Sequence, residues 1–177
     1  MLEIGSGTGQ HAVHFAQHLT HLQWQPSDLS VNLPGMRLWF DDAQLANILA
    51  PMVLDVTRTP WFDHAAESRA NPQFDGIFTA NSLHIMGAPE VECFFTGLET
   101  CAADTTDLCL YGPFNYGGRY TSDSNARFDQ WLAERDIKSA IRDFEWIDEL
   151  ANCAGFKLVL DHAMPANNRL LHYRRTA

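Results

Sequence analysis

The sequence predicts an α/β fold, a mostly parallel sheet of seven strands with helices on both faces. Three observations predict it. Short apolar runs alternate with helical periodicity along the whole chain. The first run breaks at a cluster of glycines and passes into a helix. The last two runs are joined by too few residues for a parallel crossover, which makes them antiparallel neighbours.

Met1 to Ile4 is an apolar run stopped by glycines, as a buried strand would be. Gln10 to Leu19 follows as a helix, Leu22 to Gln25 as a second strand ended by Pro26, and a helix falls between Met36 and Ala46. Met52 to Val56 and Gly76 to Thr79 are the third and fourth strands. Pro89 stands where a first helical residue would. Val91, Phe94, Phe95, Leu98, Cys101 and Ala102 then recur at three- and four-residue spacing, marking one buried helical face. Leu108 to Tyr111 is the fifth strand. The polar residues from Thr121 to Ser124 start a helix that carries Phe128, Trp131 and Leu132 inward. Asp143 is placed to cap a further helix, with Ile147, Leu150, Ala151 and Ala154 inward and Gly155 ending it. Lys157 to Leu160 and Leu170 to Tyr173 close the chain, connected by Met164 to Asn168.

The chain of 177 residues reads as one domain, 1–177. Hydrophobic residues at 46% against 19% charged give it a substantial core. Twelve Lys and Arg against 22 Asp and Glu leave a net charge of −10, which repels phosphate backbones and argues against an extended nucleic-acid footprint. No stretch of 18 apolar residues is present to span a membrane, and no secretory leader pattern opens the chain. Cys93, Cys101, Cys109 and Cys153 form no C-x-x-C pair, so a reducing, cytoplasmic compartment is expected.

The strongest chemical signal is Glu3-Ile4-Gly5-Ser6-Gly7-Thr8-Gly9, at the turn from first strand to first helix. Glycines there allow a sharp turn and close approach of a ligand to the backbone. Asp28 ends the second strand, 19 residues after Gly9, where an acid accepts hydrogen bonds from two ribose hydroxyls. A nucleoside-containing ligand at the carboxyl ends of the strands follows. The dinucleotide fingerprint starting at Gly5 would need a small residue at position 10, which is Gln10. The loop is instead G-x-G-x-G with an acid two residues ahead, a form that suits S-adenosylmethionine, which has no pyrophosphate. The two lysines, Lys138 and Lys157, have no Tyr four residues before them, so the Tyr-x-x-x-Lys pair of a short-chain reductase is absent.

Glu3 to Gly9 resembles motif I of class I S-adenosylmethionine-dependent methyltransferases. More narrowly, the chain is similar to the family of domain of unknown function 938. That similarity runs through the glycine motif to Ala12, Trp24-Gln25-Pro26-Ser27-Asp28, Tyr111-Gly112-Pro113-Phe114, Ser124 to Asp129, Ile141-Arg142-Asp143, and Met164-Pro165-Ala166-Asn167-Asn168. The resemblance implies a doubly wound, Rossmann-like sheet with an antiparallel last strand and a donor site for S-adenosylmethionine. It implies that Glu3, Gly5, Ser6, Gly7 and Gly9 form the loop at the methionine end of the donor. It further implies that Asp28 holds the ribose, Asp55 receives the adenine amino group with Trp61 nearby over the ring, and Asn81 lies beside the transferring methyl. Family members carry about two dozen residues, with an Arg-Asn pair, ahead of the first strand; this chain starts at the strand, so an incomplete cover over the donor is expected.

His84 lies just beyond the fourth strand, at the mouth of the expected site, and a group that titrates near neutrality suits a general base. The competing reading is a hydrogen-bonded structural histidine. The Asn-Pro-Pro-Tyr sequence of many nucleobase and glutamine amino-methylating enzymes is absent at Asn81-Ser82-Leu83-His84. Tyr116, Arg119, Asp123 and Asn125 follow the fifth strand on the side where substrates enter this fold. Arg142 and Asp143 either pair across that rim or cap the next helix, and Asn167 and Asn168 suit a turn. His11, His14, His18 and His21 fall on one helical stripe, read as a solvated face rather than a metal site. The expectation is therefore a methyltransferase using S-adenosylmethionine on a small-molecule acceptor, with no metal, nucleic-acid or membrane partner and its oligomeric state open. Two alternatives stay open: a donor-binding or partner module without turnover, and a nicotinamide oxidoreductase.

Overall fold

The computed structural model describes residues 1–62 and 72–176. Seven strands form one sheet, interleaved with five helices. In chain order the elements are β1 (Leu2–Ile4), α1 (Gln10–His18), β2 (Gln25–Asp28), α2 (Leu33–Ala43), β3 (Met52–Val53), β4 (Phe74–Ala80), α3 (Ala88–Cys101) and β5 (Ala102–Gly112). Then come β6 (Phe114–Asn115), α4 (Asp123–Arg135), β7 (Arg142–Asp143), α5 (Phe144–Cys153), β8 (Phe156–Ala163) and β9 (Arg169–Arg175). The sheet order is β3-β2-β1-β4-β5-β9-β8, with β1 to β5 parallel and β9 antiparallel to both its neighbours. This is the Rossmann-like order with a reversed strand near one edge that the short Met164–Asn168 connection requires.

Alternate residues of the central strands face opposite sides, as strand geometry dictates. Ile77 of β4 with Leu108 and Leu110 of β5 pack against Val91, Phe94, Phe95 and Leu98 of α3 and Ile147 and Ala151 of α5. Phe78, Cys109 and Tyr111 face the other way, into a cluster with Ala12 and Ala16 of α1, Trp24, and Phe40 of α2. Both faces are thus covered, which is why β1 is buried along its whole length.

Several boundaries move for identifiable reasons. β2 runs through Pro26 instead of ending at it. Gln25 and Ser27 give their N–H groups on the β1 side, so Pro26 lacks only a bond on the β3 side, and Gln25 Nε2 reaches the Ala50 carbonyl there at 2.9 Å. α2 starts at Leu33, three residues before Met36, because Pro34 is tolerated in a first turn. β3 is two residues long, since Asp55 accepts from the Thr57 N–H at 3.0 Å and turns the chain away. β5 begins at Ala102, across a bulge at polar residues whose Thr106 hydroxyl bonds the Phe74 carbonyl at 2.7 Å. β6 and β7 form a separate two-stranded parallel ladder that local patterning did not indicate. Among the described residues no helix is long and apolar enough to cross a membrane.

Candidate functional site

The glycine loop leaves β1 and enters α1 with Gly5, Gly7 and Gly9 at φ of +74°, +58° and +87°. The conformation is needed at Gly5 for a second reason: a Cβ there would lie 2.6 Å from Ser82 Oγ. The loop and Asp28 are built as one unit. Asp28 Oδ2 accepts the Gly7 N–H at 2.6 Å, while Oδ1 accepts the Leu29 N–H at 2.7 Å and Asn32 Nδ2 at 2.8 Å. Three donors therefore fix the carboxylate where β2 ends. Asn32, absent from the sequence reading, owes its role to the turn into α2, which brings it over a residue four positions back.

These residues open onto a cleft of about 720 Å³ at the carboxyl ends of β1, β2 and β4. Its lining includes Gly5, Ser6, Gly7, Asp28, Asp55 and Asn81 among the expected site residues. Asp55 Oδ1 accepts from the backbone N–H and hydroxyl of Thr57, at 3.0 and 2.7 Å, and these bonds hold its carboxyl below the usual range. His11, Asn32, Ile85, Met86, Glu90 and Lys138 also line it and were not read from the sequence as site residues. Glu90 and Lys138 form an ion pair at 2.7 Å on its rim, 48 residues apart in the chain, a separation that hides them from motif reading.

Two expected loop residues lie behind the cleft rather than on it. Glu3 is 1% exposed and accepts from Trp24 Nε1 at 2.8 Å, and burial raises its pKa. A Cβ on Gly9 would meet Met36 and Phe40 at 2.8 Å, so Gly9 seats α1 against α2. Trp61 packs over Gly97 and beside Phe94, with its indole N–H on the Val56 carbonyl at 3.2 Å, and does not line the cleft.

A second cavity of about 620 Å³ adjoins the first, and the two share Asn81 and Ile85. Asn81 occupies the left-handed region (φ +56°) at the end of β4, with its N–H on the Tyr111 carbonyl at 2.8 Å. His84 lines the second cavity, 7% exposed, with its ring edge-on to Phe128 at 5.2 Å. Burial, and then the Arg142 guanidinium, push its pKa down to about 4. The loop carrying it is clamped. Arg142 donates to the backbone carbonyls of Leu83 (3.2 Å), Lys138 (2.8 Å) and Met86, and the Ala140 N–H bonds the His84 carbonyl at 2.9 Å. Arg142 therefore neither pairs with Asp143 nor caps α5; Asp143 stands at the N-cap of α5 without a side-chain cap bond.

The remaining expected acceptor residues separate. Asn125 is 5% exposed, lines the second cavity, and ties α4 to the β8–β9 connection through the Asn167 carbonyl at 3.3 Å. Asn167 and Asn168 line the same cavity: Nδ2 of Asn167 bonds Ser124 Oγ at 3.1 Å, and Nδ2 of Asn168 bonds the Tyr111 hydroxyl at 3.2 Å. Tyr116 lies elsewhere. Its hydroxyl donates to Asp161 at 2.7 Å, its ring stacks on Phe144, and burial raises its pKa. Arg119 closes a turn with Tyr116 through a pair of 3.1 Å backbone bonds and lines neither cavity. The histidine stripe divides as well: His11 borders the first cleft, while the rings of His14 and His18 lie tilted by 36° with centroids 4.5 Å apart. Among the described residues no three His, Cys, Asp or Glu side chains converge on a point that could hold a metal ion.

Residues 1–175 match the family described as protein of unknown function DUF938, and the chain belongs to that family. Its fold is similar to that of an O-methyltransferase family protein from Burkholderia thailandensis, with a TM-score of 0.85 and 15% identity over 99% of this chain and 50% of that one. An O-methyltransferase family 2 protein from Planctomyces limnophilus, in complex with apigenin, matches with a TM-score of 0.81 and 15% identity over 99% and 50%. A methyltransferase of calicheamicin biosynthesis, in an S-adenosylhomocysteine-bound form, matches with a TM-score of 0.77 and 14% identity over 99% and 48%. The chain spans about half the length of the solved structures it matches.

Proposed function

We propose that the chain transfers a methyl group from S-adenosylmethionine to a small-molecule acceptor. The observation that carries this reading is the meeting of two cavities at Asn81 and Ile85, one built on Asp28 and the glycine loop, the other on His84. The residues of the first cleft fit the donor. Asp28 has about four lone-pair sites and uses three, so one ribose hydroxyl would find an acceptor directly and a second would take the place of the exposed Asn32 amide. Asp55 would receive the adenine amino group, and the backbone from Gly5 to Gly7 would hold the methionine part, since all of these residues line the one cleft. When bound, S-adenosylmethionine supplies a methyl carbon made electrophilic by the adjacent sulfonium.

Asn81, which lines both cavities, would lie beside the methyl, and the cavity walls would hold acceptor and donor in line. The acceptor lone pair would form the bond to carbon as the carbon–sulfur bond breaks with its electrons on sulfur. The acceptor proton passes to the His84 imidazole, which is unprotonated at neutral pH and has no hydrogen-bond partner among the described residues. A second reading, a module that binds the donor without turnover, is favoured by one observation: an imidazole with a pKa of about 4 is a weak base. Thermal unfolding tests the proposal. S-adenosylhomocysteine is expected to raise the Tm saturably while NADPH does not. A shift with NADPH alone would overturn it in favour of an oxidoreductase.

A further inference from the structure

We infer that the second cavity selects an uncharged, planar aromatic acceptor. The inference rests on the methyltransferase reading and adds what that reading leaves open, the chemical class of the acceptor. Phe128 and Trp131, one turn apart on α4, lie nearly parallel with centroids 5.7 Å apart, and His84 stands nearly perpendicular to Phe128. A flat ring that displaces the exposed Arg135 guanidinium, which lies over the Trp131 ring 4.6 Å from its centroid, continues the stack. Trp131 is 47% and Ile85 55% exposed, so their apolar surface is within reach of a ligand.

The polar groups of the cavity are all neutral. Ser124, Asn125, Asn167 and Asn168 line one side, and the Asn125 Nδ2 bonds to Thr121 and Asn167 leave its Oδ1 without a partner among the described residues. That oxygen suits a ligand hydroxyl or N–H. No Asp, Glu, Lys or Arg lies among the described lining residues, and His84 is neutral above its low pKa. A carboxylate or ammonium on the acceptor would lose water and gain no counter-charge from the lining side chains, and the Arg142 guanidinium near His84 is already taken up by three backbone carbonyls. The contrast with the adjoining cleft is sharp, because Asp28, Asp55, Glu90, Asp136 and Lys138 all line that one. The volume, about 620 Å³, accommodates a one- or two-ring molecule.

The test titrates 2-naphthol, 2-naphthoate, 2-naphthylmethylammonium and the non-planar 2-decalol into the intact chain, with and without saturating S-adenosylhomocysteine. Calorimetry and tryptophan fluorescence are the readouts. Saturable 2-naphthol binding is expected, with both charged probes weaker by roughly 100-fold and 2-decalol weaker by about tenfold. Trp131→Ala is expected to weaken 2-naphthol about tenfold and leave S-adenosylhomocysteine binding unchanged. A charged probe that binds as tightly as 2-naphthol overturns the inference, as does absence of 2-naphthol binding under both conditions. Failure of S-adenosylhomocysteine to bind is a separate result, which sinks the donor reading and leaves the naphthol series to decide the cavity.

Discussion

Acidification is predicted to destabilise the chain through one side chain in particular. His84 is 7% exposed, faces Phe128, and lies near a guanidinium that is itself held by three carbonyls. Its folded-state pKa of about 4 lies below the ordinary value of 6.5. Between those values the unfolded chain binds a proton that the folded chain refuses, so stability rises with pH there. The contribution is complete above pH 6.5 and is lost as pH falls toward 4. The gap between these two values corresponds to about 3 kcal/mol. Urea unfolding at pH 7, 5.5 and 4.5, on the intact chain and on His84→Gln, isolates this group because other carboxylates cancel in the difference. Wild type is expected to lose about 2–3 kcal/mol more than His84→Gln over that range. Equal losses, or an imidazole that titrates near 6.5 by NMR, would refute the burial reasoning and restore His84 as an ordinary base.

Two further predictions concern the site's construction. Gly5→Ala should cost about 1–3 kcal/mol, because φ is +74° and the new Cβ meets Ser82 Oγ at 2.6 Å. Gly7→Ala, strained but with nothing within 4 Å, should cost less; the unfolding free energies of the two variants rank them. Arg142→Gln should raise the His84 pKa, by removing the nearby positive charge, and loosen the loop from Leu83 to Met86. A histidine titration with hydrogen exchange of the Ile85 and Met86 amides reads both effects.

The parts of this account that were legible in the sequence are those fixed by short-range rules. The glycine loop, Asp28 at the end of β2, and the antiparallel closing pair each follow from a turn, a spacing or a connection length. The second cavity is different. It is assembled from four segments, around His84, Pro113, Phe128 and Asn168, that meet only when α4 and the β8–β9 connection close over the ends of β4 and β5. The same holds for Arg142, whose partners at Leu83 and Met86 are 59 and 56 residues away, and for the Glu90–Lys138 pair. Tyr116 and Arg119 show the converse: a polar stretch in the right place along the chain, turned by its own hydrogen bonds toward Asp161 and away from both cavities. Glu3 reads as a ligand contact because it precedes the glycines, yet the indole of Trp24, from the neighbouring strand, claims its carboxylate.

Asp28 and the glycine loop are expected to hold the donor. Isothermal titration of S-adenosylhomocysteine into the intact chain and into Asp28→Ala tests it most directly. The intact chain is expected to bind one equivalent. The variant, stripped of hydrogen bonds from a charged group to two hydroxyls, is expected to bind at least about 100-fold more weakly. Equal affinity in the two would contradict the account, because the ligand would then be held without the carboxylate around which this cleft is built.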